Sequence, residues 1–320
     1  MPTDSPMPDP IGRNAMSWRR LGYLGVVRFS GPDAAAFLQG QVSNDTRRLR
    51  DGQPLLAAYS TPQGRVLAIM HLLPHSSGIL ALLPREVVLP TVERLRRYVL
   101  RAKVTIEDLS DQFSVSGRWL ADAGGEPYRE VDTIGVGRVG PDATRLWAVG
   151  STSALTDAGF CEAASADAGA VAAHDRDSEW RLADIRAGLP QIHAATREMF
   201  VAQMLNLDLV DGISFNKGCF TGQEIIARTQ HLGRIKRRLF RLRLPAGTWT
   251  VSQSITLADG RTGRLTEVEG TDAGYEALAV LPLKQAGASD EGAADAAGSE
   301  QSGTAVDAVI LPLPYALTSP

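Results

Sequence analysis

The sequence contains little cysteine and no long apolar run, and each absence excludes a class of protein. Its 320 residues include only two cysteines, Cys161 and Cys219, too few for a disulfide framework and consistent with a reducing compartment. No apolar run approaches the roughly eighteen residues of a membrane span. The N-terminal segment carries proline and aspartate where a secretory signal needs an apolar core. We therefore expect a cytoplasmic protein without membrane contact.

Several common functional motifs are also missing. Neither GxGxxG nor GxxxxGK[ST] occurs, and there is no GxSxG, so nucleotide binding and a hydrolase nucleophile lack support. The five histidines show no metal-ligand spacing, and we expect no metal site. A formal net charge of −3 gives no general attraction to nucleic acid. Any RNA contact would need a local basic patch.

The chain is longer than one hydrophobic core usually fills, so we expect two or three domains in an α+β protein. Residues 17–113 alternate short strands with helices near Pro32 and Pro90, which predicts an α+β domain. Residues 114–232 give weaker signals for a second α+β domain. Residues 233–320 alternate with period two, as in a small antiparallel β-barrel. The low-complexity insert at 285–303 should be disordered.

The densest local signal is FNKGCFTGQEIIAR at residues 215–228, called the signature segment below. Thr221 and Glu224 have the spacing of a capping box and predict a helix N-terminus. Cys219 lies just upstream, where free backbone N–H groups and the charge of Lys217 favour a thiolate. Cys219 is therefore a candidate reactive thiol, although a small buried cysteine beside a capped helix explains the same residues. A lone thiolate holds no cluster without ligands from a partner.

A basic stretch follows the signature segment. Residues 225–258 contain seven Arg or Lys and no Asp or Glu, with the highest density at Arg234, Lys236, Arg237 and Arg238. Such a stretch could bind an acidic folate tail, an acidic partner or an RNA backbone. A solvated face with protected strand edges is the alternative interpretation.

At this point a family resemblance is evident. The signature segment resembles the KGC[FY]TGQE motif of the YgfZ family, a branch of the fold shared with the glycine-cleavage T protein. Further segments agree in the same order: SGPDAAAFLQGQVSNDTRRL, TPQGRV, LRRYVLRAKVTIEDLS, WRLADIRAGLPQI, MLNLDLVDGISF and PLPYAL. The resemblance runs from about residue 21 to 317, apart from the weak middle and the insert.

The resemblance implies three domains in a ring around a central tetrahydrofolate pocket, with a small C-terminal β-barrel. It also implies folate-dependent help in assembling or repairing iron–sulfur enzymes, including enzymes that modify tRNA. Lys217 and Cys219 match the motif as functional residues. Trp180 matches a position associated with folate, and its indole could stack on a pterin. The remaining positions matched to the pocket are Gly218, Thr221, Gly222, Gln223 and Glu224.

One departure bears on the reaction. The aminomethyltransferases carry an acidic pair after the turn that contains Gly64, whereas this chain has Ala68 and Ile69 there. Neither side chain can hold or transfer a proton. We therefore favour an accessory protein over an active aminomethyltransferase. A one-carbon transferase with another base and a tRNA-binding protein remain the alternatives.

Overall fold

The computed structural model describes residues 18–120, 127–139, 142–161, 170–231, 235–283 and 303–317. Helices and strands are mixed along the chain, so the predicted α+β class is confirmed. The predicted disordered insert lies outside the described residues except for Gly303, and Arg234 lies outside them as well. No helix in the described ranges is long and apolar enough to cross a membrane.

Most helices and several strands are short, whereas the helix Ala170–Ala187 has 18 residues. The helices are α1 Ala34–Gln39, α2 Val88–Arg96, α3 Thr152–Asp157, α4 Ala170–Ala187 and α5 Gln223–His231. The strands are β1 Arg19–Arg20, β2 Leu24–Ser30, β3 Leu55–Ser60, β4 Val66–His75, β5 Gly78–Pro84, β6 Thr105–Asp108, β7 Phe113–Trp119, β8 Tyr128–Val131, β9 Ile134–Val139, β10 Asp142–Ser151, β11 Arg237–Leu244, β12 Ser254–Leu257, β13 Thr262–Thr271, β14 Gly274–Pro282, β15 Thr304–Val306 and β16 Val309–Leu311.

The strands form three sheets. The first has the order β3-β4-β5-β2-β6, and the second has the order β1-β7-β10-β9-β8. The third has six strands in the order β15-β12-β13-β14-β11-β16, antiparallel except where β12 pairs with β15. Closure of this third sheet into a barrel, the three-domain ring and the domain boundaries stay predictions.

The three sheets meet in one shared core. Ile69 from the first sheet, Trp147 from the second and Leu278 from the third belong to the same buried apolar cluster. A second cluster lies between the first sheet and α2, which buries Val88, Thr91, Val92 and Leu95. Burial on both faces explains why β3 and β4 are nearly continuous apolar runs.

The helix predicted after Pro90 is shorter than the sequence suggests. It begins at Val88 and ends at Arg96, although the sequence pattern runs on to Lys103. Leu95 is its last buried residue, and Leu100 beyond it is 86% exposed. The chain turns after Arg96, although Val99 and Ala102 beyond the turn still pack against the second cluster.

His193 links the first and third sheets electrostatically. Its Nδ1 lies 2.8 Å from a carboxylate oxygen of Glu86, and its Nε2 lies 3.1 Å from one of Glu267 in β13. Burial alone would lower the pKa of His193, but Glu267 and Glu86 outweigh burial and raise it to about 9. The imidazolium therefore joins two carboxylates at neutral pH.

The bridge predicts a pH-dependent contribution to stability. Because the folded pKa is raised, the contribution is complete below about pH 6.5 and is lost as the pH rises through about 9. We expect wild type to exceed His193→Gln by roughly 2–3 kcal/mol at pH 6, with the difference shrinking towards pH 10. Urea unfolding of both proteins across this range measures it. A difference that does not change with pH would show that His193 is neutral in the folded protein.

Candidate functional site

The signature segment enters α5 differently from the prediction. The carbonyl of Gly222 accepts the first helical bond from the Ile226 N–H at 3.4 Å, so Gly222 is the N-cap. Gly222 has φ +84°, a left-handed conformation that favours glycine. The predicted capping box of Thr221 and Glu224 is therefore wrong, because the chain turns between Thr221 and the helix. Instead, the Phe220 N–H donates to Oε1 of Gln223 at 3.3 Å.

Two glycines join this segment to the β3–β4 hairpin. A Cβ placed on Gly222 would lie 2.7 Å from the carbonyl oxygen of Thr61. A Cβ on Gly64, which has φ +73°, would lie 2.9 Å from the Cβ of Ile225. Both positions therefore need glycine for close backbone approach. The TPQG turn and the signature segment, separate in sequence, form one structural unit that sequence analysis did not find.

Lys217 anchors the segment on the first sheet. Only 6% of this residue is exposed. Its Nζ donates to the backbone carbonyls of Gln39 at 2.8 Å, Val42 at 2.6 Å and Asn44 at 2.9 Å. Burial lowers the pKa of Lys217 to about 8, so the ammonium is still the main form at pH 7. Three N–H donors meet three carbonyls, so the ammonium is held by the backbone of residues 39–44, and its predicted charge effect on the Cys219 thiol stays a prediction.

Cys219 lies at the surface. It is a free, exposed cysteine, and a Cβ placed on the neighbouring Gly218 would meet no atom within 4 Å. Glu224 is also exposed, and Phe215 is 37% exposed. The segment therefore presents its thiol to solvent from a backbone that Lys217 and Gly222 hold in place. Cys161, by contrast, is buried.

Trp180 belongs to α4, and its side chain packs against the second sheet. It has no exposed surface, and the guanidinium carbon of Arg145 lies 4.9 Å from its ring centroid. Trp119 packs edge-on at 4.9 Å, and a Cβ on Gly117 would lie 2.5 Å from the indole. In the part of the chain that the structure describes, no hydrogen bond or ring contact joins Trp180 to the signature segment. Its predicted folate contact stays a prediction, and a ligand reaches the fully buried ring only if neighbouring groups move.

A buried charged network lies beside Trp180. Arg145, fully buried, donates to Oδ1 of Asp184 at 2.7 Å, and the Tyr23 hydroxyl donates to Oδ2 at 3.2 Å. Burial raises the pKa of Asp184, while Arg145 opposes that shift. Burial and the charge of Asp184 raise the pKa of Tyr23 well above its usual value. The network ties α4 to the N-terminal strands and to β10.

A cavity of about 200 Å³ lies between the first and second sheets. His71 and Trp147 meet edge to face there, with ring centroids 4.4 Å apart. Burial, and secondarily Arg145, lowers the pKa of His71 to about 3, so this imidazole is neutral. The indole Nε1 of Trp147 is enclosed without an acceptor. The cavity is lined by Pro54, Leu55, Leu56, His71, Pro127, Arg138 and Trp147.

The basic stretch does not form one surface. Arg238 is 1% exposed and makes a two-bond ion pair with Asp208 at 2.6 and 2.9 Å. The predicted surface contact is therefore wrong for Arg238, because its guanidinium is buried and pairs with Asp208. Lys236 is exposed and Arg237 is half-buried. A tRNA contact through these two residues stays a prediction.

The positions of the missing acidic pair are apolar and closed. Ala68 and Ile69 have no exposed surface. Ala68 pairs with Tyr59 in the hairpin, and Ile69 belongs to the shared core. Across the residues with described side chains, no three His, Cys, Asp or Glu side chains lie close enough to share a metal ion.

Comparisons with known proteins agree on one family. No family model matches the chain. The tRNA-modifying protein YgfZ of Colwellia psychrerythraea is 31% identical over 232 residues, which is 69% of this chain and 69% of the relative. The protein of the same name from Escherichia coli O157:H7 is 31% identical over 265 residues, covering 74% of this chain and 80% of that protein.

A solved structure shares the fold. The glycine cleavage system aminomethyltransferase T from Bartonella henselae superposes with a TM-score of 0.57 and 13% sequence identity. The match covers 83% of this chain and 78% of that chain. Identity this low shows similarity of fold alone.

Proposed function

We propose, since this chain belongs to the family of the tRNA-modifying proteins YgfZ, that it is a tetrahydrofolate-binding accessory protein for assembly or repair of iron–sulfur enzymes. The clients include enzymes that modify tRNA, and the protein works in the cytoplasm. The observation that carries this proposal is the signature segment, in which Lys217 and Gly222 hold the backbone while Cys219 faces solvent. An exposed thiol on a rigid support suits contact with a client protein better than enclosed catalysis.

The cavity between the first and second sheets is the first candidate for the folate-binding site. Leu55 and Leu56 supply apolar walls, while the enclosed Nε1 of Trp147 is a donor in need of an acceptor. A pterin is a flat ring with polar edges, so it could pack against these apolar walls and accept the hydrogen bond from Trp147. Whole-ligand pockets usually measure roughly 300–1,000 Å³, so a cavity of about 200 Å³ suits the ring, with the glutamate tail outside. Bound tetrahydrofolate would supply a carrier of one-carbon units.

The apolar positions after the turn favour this accessory role over an aminomethyltransferase. Ala68 and Ile69 leave no carboxylate there to move a proton to or from a folate nitrogen. Neutral His71 lines the cavity, but a pKa of about 3 makes it a poor base at pH 7.

Anaerobic calorimetric titration with tetrahydrofolate tests the proposal. We expect wild type and Cys219→Ser to bind equally, because Cys219 lies at the surface. Trp147→Phe should weaken binding about tenfold if the ring occupies the cavity, since a buried donor and packing area are lost. In cells lacking the native protein, Cys219→Ser should fail to restore the activity of an iron–sulfur enzyme that modifies tRNA.

Two outcomes would contradict the proposal. Folded wild type that gives no heat with tetrahydrofolate would remove the folate role. Full restoration of activity by Cys219→Ser would remove the thiol role. Trp180→Phe tests where the folate binds. If Trp180→Phe weakens binding and Trp147→Phe does not, the folate lies at the position implied by the family resemblance.

A further inference from the structure

His71 is a polar residue on an apolar face of the first sheet. Ile69 and Leu73, which flank it on the same face of β4, both belong to the shared core. Its cross-strand neighbours are Leu56 in β3 and Leu82 in β5, and both are buried in the same core. An apolar side chain at this position would continue the face without interruption, so the imidazole needs an explanation.

The imidazole of His71 is buried but has no hydrogen-bond partner. Only 4% of the residue is exposed. Among the residues that the structure describes, none donates to or accepts from either ring nitrogen. Neither nitrogen belongs to the fully enclosed polar atoms, so both border the cavity that His71 lines. A buried polar group without a partner lowers stability, and a ligand in the cavity would supply the missing hydrogen bond.

The cavity combines this imidazole with apolar walls and a second hydrogen-bonding group. It measures about 200 Å³, and Leu55 and Leu56 supply apolar surface. Trp147 of the second sheet meets His71 edge to face, with 4.4 Å between the ring centroids. The indole Nε1 of Trp147 is enclosed without an acceptor. Two hydrogen-bonding side chains from different sheets therefore meet at this cavity, and both lack a partner for a ring nitrogen.

We propose that His71 determines which ring the cavity accepts, by forming a hydrogen bond with an N–H or carbonyl group on the edge of a reduced pterin. The inference rests on the proposed folate function, because the pterin is the ring that tetrahydrofolate carries. A neutral imidazole has one nitrogen that donates and one that accepts, so it favours a polar edge over an apolar one. Burial lowers the pKa of His71 to about 3 and keeps the imidazole neutral at pH 7. The residue then acts as a hydrogen-bonding group and not as a base.

Anaerobic equilibrium dialysis of the full chain with 6-methyltetrahydropterin, a pterin ring without the folate tail, tests this role. We expect wild type to bind it at least about tenfold more tightly than naphthalene, a fused ring of similar size without polar edges. His71→Leu should reduce that preference about tenfold, because the hydrogen bond to the pterin is lost while naphthalene still binds. His71→Gln can still donate and accept, so it should keep most of the preference.

Thermal unfolding separates a role in binding from a role in folding. Because leucine continues the apolar face, His71→Leu should raise the melting temperature while it lowers the preference for the pterin. Leu73→Val is the matched control, since Leu73 lies on the same face of β4 but does not line the cavity. It should lower the melting temperature and leave the preference for the pterin unchanged.

Two outcomes would overturn the role of His71. One is a preference in His71→Leu equal to that of wild type, and the other is wild type that binds both rings equally. A parallel titration with tetrahydrofolate distinguishes this failure from failure of the proposed function. If wild type and His71→Leu bind tetrahydrofolate equally, the folate function stands and only the role of His71 is wrong. If wild type does not bind tetrahydrofolate, the proposed function itself is wrong.

Discussion

Replacing Asp184 with alanine is expected to lower the free energy of unfolding by about 3–5 kcal/mol. The substitution removes the carboxylate that accepts from Arg145 at 2.7 Å and from Tyr23 at 3.2 Å. Arg145 has no exposed surface, so its charge would stay buried without this partner. Urea unfolding at pH 7, followed by tryptophan fluorescence, measures the loss. Trp180 makes the signal sensitive, because Arg145 lies over its ring.

Two controls separate the buried charge from a general effect of the substitution. Glu179→Ala changes the same helix where Glu179 pairs with Arg19 at the surface, with 62% of the Glu179 side chain exposed. That change should cost under about 1 kcal/mol. Arg145→Met combined with Asp184→Leu should cost less than Asp184→Ala alone, because no charge is left behind. A double variant as unstable as the single one would mean that the loss comes from packing.

Replacing Lys217 with methionine is expected to lower the free energy of unfolding by about 3 kcal/mol. Methionine fills similar space but has no donor for the carbonyls of Gln39, Val42 and Asn44. Each buried carbonyl that loses its donor costs about 1 kcal/mol. The cation above the ring of Phe220, 4.7 Å from its centroid, is lost as well. Thermal or urea unfolding at pH 7 measures this difference.

Cys219→Ser is the natural control, two residues along the same segment. Because Cys219 is exposed, serine should change stability by no more than about 0.5 kcal/mol. The two residues would then have separate tasks, with Lys217 supporting the backbone and Cys219 supplying the chemistry. Lys217→Met with wild-type stability would show that the three carbonyls find other donors, and the anchoring role would be wrong.

Sequence patterns predicted the elements of the fold well where packing is local. The hairpin of β3 and β4 follows from two apolar runs separated by Thr61-Pro62-Gln63-Gly64. The period-two strands after Arg237 form the third sheet. The C-terminal end of α2 was missed, because helix propensity continues past Arg96 while the chain turns there.

The candidate site was predicted less completely, because its contacts join distant segments. The motif identified Lys217 and Cys219 as important. From their spacing in the sequence, we expected the ammonium to lie near the thiol. In the structure the ammonium turns to carbonyls of residues 39–44, more than 170 positions away along the chain. Arg238 shows the same limit, since a basic stretch predicts an exposed surface and only its pairing with Asp208 reveals a buried residue.

The amino-acid sequence by itself determined the family, the α+β class and the motif that carries Cys219. These depend on residue order and on local periodicity, which are present in the chain before it folds. Only the tertiary structure decided that Gly64 and Gly222 face each other, that Lys217 is a buried anchor and that Arg238 pairs with Asp208 in the interior. Burial and long-range contacts set these properties, because the dielectric and the partners of a charged group exist only once separate segments pack together.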